Sequence, residues 1–190
     1  MSHLKLFMMM LGCTPKGRNT EQHDIYFTIA ETVADTVGGI KDFWPEANGK
    51  IHIDAWREVT QVDQFAVEVV SKAEPADVSD DTNSAKLFFI NLGGYREDEF
   101  DEFHYKMLVA APEKAAAIQA AKQTAFYRHT GFQGAPSHID DKFGVDVDDI
   151  YQIEDILPAE IKTKYTIRLA ANEAVQKDEI HLGYFKLSDL

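Results

Sequence analysis

The sequence has few of the features that mark several large protein classes. It contains one cysteine, Cys13, in 190 residues, so no disulfide forms within the chain, and we expect a cytoplasmic protein. No apolar run reaches the roughly 18 residues that a membrane-spanning helix needs. Basic residues number 19 against 32 acidic ones, a formal net charge of −13. Because such a surface repels phosphate groups, we expect neither nucleic acid nor an anionic membrane as partner.

The stretch KLFMMMLGC, which begins at Lys5, has the layout of a bacterial lipoprotein signal. Its apolar run is shorter than the about 7–15 residues of a signal core. A similar stretch, KLFFINLGG, begins at Lys86, where no signal peptide can operate. We therefore interpret both stretches as buried strands rather than as targeting segments.

The two stretches are part of an internal repeat at an offset of 81 residues. The same offset aligns Glu21 with Glu102 and His23 with His104. In each copy the hydrophobic patterns predict the order strand, strand, helix, strand, strand. Successive strands with a single helix favour an α+β fold with mostly antiparallel sheets, each covered by its helix on one face.

The repeat also predicts the domain boundaries. We assign residues 1–70 to a first repeat, 71–85 to a polar, acidic linker, and 86–190 to a second repeat with an insertion at 129–149. The segment 180–187 near the C-terminus reads as an extra strand with no counterpart within the second unit. We expect it to pair across the repeats or with the sheet edge of a partner, which would give a dimer.

Three segments carry a resemblance to a known family. They are KLFMMMLGCTPKGRNTEQHD, DFWPEANGKIHIDAWREV and the segment from FHYKMLVAA to VDDIYQIEDIL. Over most of residues 5–157 the chain resembles an uncharacterised bacterial family of unknown function with an internally duplicated α+β domain. The resemblance implies a fold and no activity, so no catalytic residue follows from it.

The repeated Glu-x-His pairs are the first candidate site. Residues two apart on a strand lie on the same face, so Glu21 lies beside His23, and Glu102 beside His104. If both pairs line a cleft between the repeats, they would bind a metal or a small molecule, or support acid–base chemistry. The alternative is that both pairs are structural and inherited through duplication.

Two other segments of the first repeat are candidates for binding. Arg18 and Asp24 flank the first Glu-x-His pair and favour a small-molecule site, or else a solvated turn. Trp56 and Arg57 on a predicted strand are typical of a cation–π platform or an interface anchor, with core packing as the alternative for the tryptophan.

The insertion of the second repeat supplies the metal candidates His129, His138 and Asp140. Their spacing matches neither a closed zinc site nor a calcium-binding loop. A divalent metal is therefore an alternative, an acidic surface loop is the default, and no cofactor is predicted.

The sequence lacks a phosphate-binding glycine loop, a dinucleotide fingerprint and a nucleophile elbow. Catalysis is therefore the less favoured reading. We predict a cytoplasmic, non-catalytic binding or protein-interaction protein of unknown specificity. The alternatives are an enzyme or small-molecule-binding protein with a cleft between the repeats, and a metal-binding protein that uses the insertion.

Overall fold

The computed structural model describes residues 4–73, 85–96, 100–129, 137–138, 146–172 and 177–190. The described residues mix helices with antiparallel sheets, which confirms the α+β prediction. The chain divides into two compact units. Unit 1 comprises Met1–Val78 with Ile156–Leu190, and unit 2 comprises Ser79–Asp155.

The described strands are β1 Lys5–Cys13, β2 Gln22–Ala30, β3 His52–Glu58, β4 Gln61–Val62, β5 Phe65–Ser71, β6 Lys86–Arg96, β7 Glu102–Ala111, β8 Ser137–His138, β9 Asp146–Gln152, β10 Tyr165–Ala171 and β11 His181–Lys186. The α-helices are α1 Val37–Phe43, α2 Lys114–His129, α3 Ile153–Ile156 and α4 Ala159–Lys164, and short 3₁₀ turns occupy Ala34–Thr36 and Pro45–Ala47. No helix of the described chain is long and apolar enough to cross a membrane.

The main sheet of unit 1 has the antiparallel order β11-β3-β1-β2. Successive side chains of strand β1 point to opposite faces of the sheet. Phe7, Met9 and Leu11 are fully buried in a cluster that includes Ile40 of α1. Gly12, between two residues of that cluster, therefore belongs to the opposite face of the sheet.

An irregularity between β1 and β3 determines which side chains meet on that opposite face. Met10 pairs with Ala55, but Leu11 pairs with Ile53, so Asp54 is left as an extra residue in a β-bulge. As a result Gly12 has His52 directly across on β3. It has His23 directly across on β2.

A second sheet of unit 1 has the order β10-β5-β4. Tyr165–Ala171 pairs along its length with Phe65–Ser71, and the C-terminal strand β11 pairs with β3. Backbone hydrogen bonds therefore join the last two strands of the predicted second repeat, 86–190, to unit 1, and the repeat boundaries stay a prediction. Much of the predicted linker, 71–85, and most of the insertion, 129–149, lie outside the described residues.

Unit 2 has its own sheet, in which β6 lies between β7 and β9. Phe88, Ile90 and Leu92 of β6 pack with Ala117 and Ala121 of α2. Alanines on that helix face allow it to lie close to the strands, because their side chains are small.

The strand registers of the two units match. Lys5 pairs with Ala30 in unit 1, and Lys86 pairs with Ala111 in unit 2. The bulge recurs as well. The register of β6 with β9 shifts between Asn91 and Leu92, 81 residues after the shift in β1, and leaves Asp148 as the extra residue.

The helices differ more from prediction than the strands do. The helix predicted in the first repeat is a 3₁₀ turn followed by α1 of seven residues, since Gly38 and Gly39 weaken helix formation. The short helices α3 and α4 were not predicted from the sequence. Neither offers the long apolar periodicity that identifies a helix.

Candidate functional site

Four polar side chains meet above Gly12 on the sheet face opposite Phe7, Met9 and Leu11. His52 Nε2 lies 3.1 Å from Glu21 Oε1 and 3.1 Å from Asp54 Oδ1. His23 Nε2 lies 3.2 Å from Asp54 Oδ2 and 3.8 Å from Glu21 Oε2. Each carboxylate therefore contacts both imidazoles. We call Glu21, His23, His52 and Asp54 the unit 1 cluster.

Gly12 provides the floor of the unit 1 cluster. A Cβ at this position would collide with Asp54 Oδ2 and lie 2.6 Å from His52 Nε2. The strand pairing places both neighbours there, because Gly12 lies opposite His52 and next to the bulge at Asp54. Only a residue without a side chain leaves room for the cluster in this arrangement.

Two atoms of the unit 1 cluster are buried without a hydrogen bond. His52 Nε2 and Asp54 Oδ2 have no hydrogen-bond partner of acceptable geometry, although charged neighbours lie within 3.2 Å. The His52 side chain is only 6% exposed. Buried polar atoms without a hydrogen bond are uncommon in folded proteins, so two of them in one cluster mark it as a candidate binding site.

The C-terminal strand supplies an aromatic wall beside the unit 1 cluster. Leu182 pairs with Ala55 and Phe185 pairs with Ile53, so Gly183 and Tyr184 face the bulge at Asp54. Gly183 has φ 156°, which side-chain-bearing residues rarely adopt. The Tyr184 ring lies 4.1 Å from the His52 ring at 31° and remains 65% exposed.

Cys13 lies at the end of β1, one residue from the floor of the cluster, and is buried. Burial raises the pKa of its thiol, and the nearby carboxylate of Glu21 raises that pKa further. A raised pKa keeps the thiol protonated and unreactive.

Arg18 and Asp24, predicted beside the Glu-x-His pair, are exposed and make none of the contacts that define the cluster. Asp24 instead accepts a hydrogen bond at Oδ1 from the backbone N–H of Ile25, at 2.7 Å. Their proposed role in binding stays a prediction.

Trp56 and Arg57 lie on opposite faces of β3. The Trp56 ring stacks on His181 at 3.8 Å and packs against the core of unit 1. The Arg57 guanidinium contacts Met8 Sδ at 3.5 Å and lies 3.8 Å from Asp178 Oδ2. Both side chains therefore have partners within their own chain, and their predicted role in partner binding stays a prediction.

Unit 2 repeats part of the cluster. His104 Nε2 lies 3.9 Å from Glu102 Oε2, close to the 3.8 Å of the corresponding pair in unit 1. Gly93 pairs with His104 on one side and with Asp146 on the other, as Gly12 does with His23 and His52. The expectation that both Glu-x-His pairs line one shared cleft stays a prediction.

The predicted metal candidates lie outside the residues whose side chains the structure describes. His129 ends α2, His138 belongs to β8, and Asp140 falls in an undescribed stretch. Where side chains are described, no group of three or more His, Cys, Asp or Glu residues is arranged to hold a metal ion, the unit 1 cluster included.

Sequence reasoning found Glu21 and His23 but missed His52, Asp54 and Tyr184. The segment IHID carried a usable signal, since His52 and Asp54 are spaced by two on a strand, like Glu21 and His23. Tyr184 had no such signal, because only the pairing of β11 with β3 brings it to His52.

Comparison with known proteins supports the resemblance described above. The family model for Domain of Unknown Function (DUF1543) matches residues 18–69, which include all four residues of the unit 1 cluster. No curated protein matches the chain. The crystal structure of a protein Il1583 from Idiomarina loihiensis matches with a TM-score of 0.63 at 20% identity, covering 97% of this chain and 98% of that one. At that identity the likeness establishes the fold, while the function remains unknown.

Proposed function

We propose that this chain is a non-catalytic binding protein that recognises a positively charged organic group at the unit 1 cluster. The observation that carries the proposal is the pair of buried atoms without hydrogen bonds, His52 Nε2 and Asp54 Oδ2. A bound ligand with N–H donors would satisfy the Asp54 oxygen, and its charge would compensate the carboxylates.

The charge balance of the cluster favours a cation. Glu21 and Asp54 place two carboxylates on one patch of the sheet. The ion pairs of these carboxylates within the described residues are with His23 and His52, and not with a lysine or arginine. The net charge of −13 also attracts cationic ligands from a distance.

The exposed half of the cluster provides the entry for such a ligand. The side chains of Glu21 and His23 are 43% and 41% exposed. His23 is the group that contacts Asp54 Oδ2. Rotation of this exposed imidazole would open Asp54 to the ligand, while buried His52 stays in place.

We also propose that the protein arose by duplication of one unit and that it is cytoplasmic. The matching registers, bulges and Glu–His distances of the two units support their descent from one duplicated unit. Cys13, a buried free thiol, fits the reducing cytoplasm. The ligand is either a free small molecule or a side chain on a basic protein partner, and self-association through an edge strand remains a further expectation.

The test is titration of the full chain with N-acetyl-L-arginine amide and N-acetyl-L-lysine amide, which carry one positive charge and no carboxylate. Binding is followed by calorimetry and by the imidazole NMR signals of His23 and His52. We expect saturable binding that weakens at least about tenfold in Glu21→Gln and in Asp54→Asn, since each variant removes one charge of the site. Glu31→Gln, an exposed glutamate outside the cluster, is the matched control and should bind as the wild type does.

Two results would overturn the proposal. One is binding of neither amide, or binding that Glu21→Gln and Asp54→Asn leave unchanged. The other is tight binding of Zn²⁺ or Mg²⁺ that shifts the same imidazole signals and excludes the amides, which would make the site a metal site. If an arginine-rich peptide binds far more tightly than the single amide, the ligand is a protein side chain rather than a free small molecule.

A further inference from the structure

We infer that Tyr184 makes the unit 1 cluster selective for a guanidinium group over a simple ammonium group. The inference rests on the proposed function and names the ligand class and the residue that determines it. Tyr184 lies in the C-terminal strand, outside the segment 18–69 that the family model matches.

The shape of the site fits a flat, forked cation. A guanidinium group presents five N–H donors in one plane, pairs with carboxylates through two parallel hydrogen bonds, and stacks on aromatic rings. The unit 1 cluster offers two carboxylates, of which Glu21 is 43% exposed and Asp54 is 21% exposed. An ammonium group is compact and strongly hydrated, so it gains less from a ring at the edge of a site.

The pairing of β11 with β3 determines the position of the Tyr184 ring. The irregular pairing of β11 with β3 places Gly183 and Tyr184 opposite Asp54. Gly183, with φ 156°, lies within this register shift. The Tyr184 ring then lies 4.1 Å from buried His52, which contacts both carboxylates.

The exposure of the ring is the second reason to assign it to binding. A tyrosine that served only to cover His52 would be expected to bury most of its surface, but Tyr184 is 65% exposed. One side of the ring touches His52, and the rest is free to contact a ligand. Cation–π contact with a guanidinium is the interaction that this surface provides beside two carboxylates.

The experiment compares the affinity of the full chain for N-acetyl-L-arginine amide with its affinity for N-acetyl-L-lysine amide. We expect wild type to prefer the arginine amide by at least about threefold, and Tyr184→Ala to lose that preference through an about threefold to tenfold weaker affinity for the arginine amide. Tyr184→Phe keeps the ring and should keep the preference. Leu182→Ala removes the neighbouring exposed side chain, 75% exposed on the same strand, and should change neither affinity.

The imidazole NMR signal of His52 in ligand-free Tyr184→Ala shows whether the substitution disturbs His52 itself. If that signal is unchanged, the loss of affinity comes from the lost contact between the ring and the ligand. An arginine-to-lysine preference that survives in Tyr184→Ala, or is lost equally in Leu182→Ala, overturns the inference. If both amides bind equally well and still depend on Glu21, the inference fails and the proposed function stands. If neither binds wild type, the proposed function itself fails.

Discussion

The two units have the same strand pairing around Gly12 and Gly93 but different side chains at the paired positions. In each, a glycine on the central strand faces a Glu-x-His pair on one neighbour, and the other neighbour bulges at an aspartate. In unit 1 the residue across from the glycine is His52, and in unit 2 it is Asp146. The backbone plan is therefore shared, whereas the ionisable groups that it positions are not.

This difference shows that the register and the bulge are shared properties of the backbone pairing, whereas the residue type across from the glycine depends on the sequence of each unit. The unit 1 cluster therefore cannot be inferred for unit 2 from the shared pairing alone.

The largest effects are expected where the two units are alike, in their cores. Met9 and Ile90, 81 residues apart, are both fully buried on the central strands. Met9→Ala and Ile90→Ala should each lower the free energy of unfolding by about 2–5 kcal/mol, because each leaves a cavity. Urea unfolding followed by circular dichroism measures this loss. Leu182→Ala, at 75% exposure, should stay within about 0.5 kcal/mol of wild type, and a similarly small loss at Met9 or Ile90 would contradict the matching of the units.

A smaller but more local effect is expected at the floor of the unit 1 cluster. Gly12→Ala should weaken binding of N-acetyl-L-arginine amide at least about tenfold, because the new methyl group displaces Asp54 and His52. Calorimetry measures the change. Gly38→Ala, where a Cβ meets nothing within 4 Å, controls for the substitution itself. Gly93→Ala places the same change in unit 2, and it should leave this binding intact. If Gly12→Ala and Gly93→Ala lose affinity for the amide equally, then binding does not depend on the space that Gly12 leaves for the unit 1 cluster.

The comparison also shows how much the sequence could predict. The repeated stretches at Lys5 and Lys86 identified the central strands, since a buried strand leaves a continuous apolar pattern. The spacing of Glu21 and His23 identified half of the cluster. The spacing of His52 and Asp54 in IHID indicated a second pair, but its position beside Glu21 and His23 depends on a bulge in the pairing of β1 with β3, which the spacing does not show. The position of Tyr184 beside His52 depends on the pairing of β11 with β3, which lie more than 120 residues apart in the sequence. Local sequence patterns do not predict pairing over such a distance.

The smallest effect concerns a difference at the surface of the two sheets. In unit 1 Lys5 Nζ lies 2.6 Å from Glu58 Oε1, with the two side chains 38% and 35% exposed. The position of Glu58 is occupied by Gln152 in unit 2, since Glu58 pairs with Phe7 as Gln152 pairs with Phe88. Glu58→Gln should therefore cost no more than about 1 kcal/mol in urea unfolding, and less at high salt, because exposed ion pairs are screened by water and ions. The reciprocal Gln152→Glu should stabilise the protein by no more than the same amount through Lys86. A loss of several kcal/mol in Glu58→Gln would instead show that this ion pair contributes much of the stability of the unit 1 sheet. The two sheets would then differ in stability although their registers match.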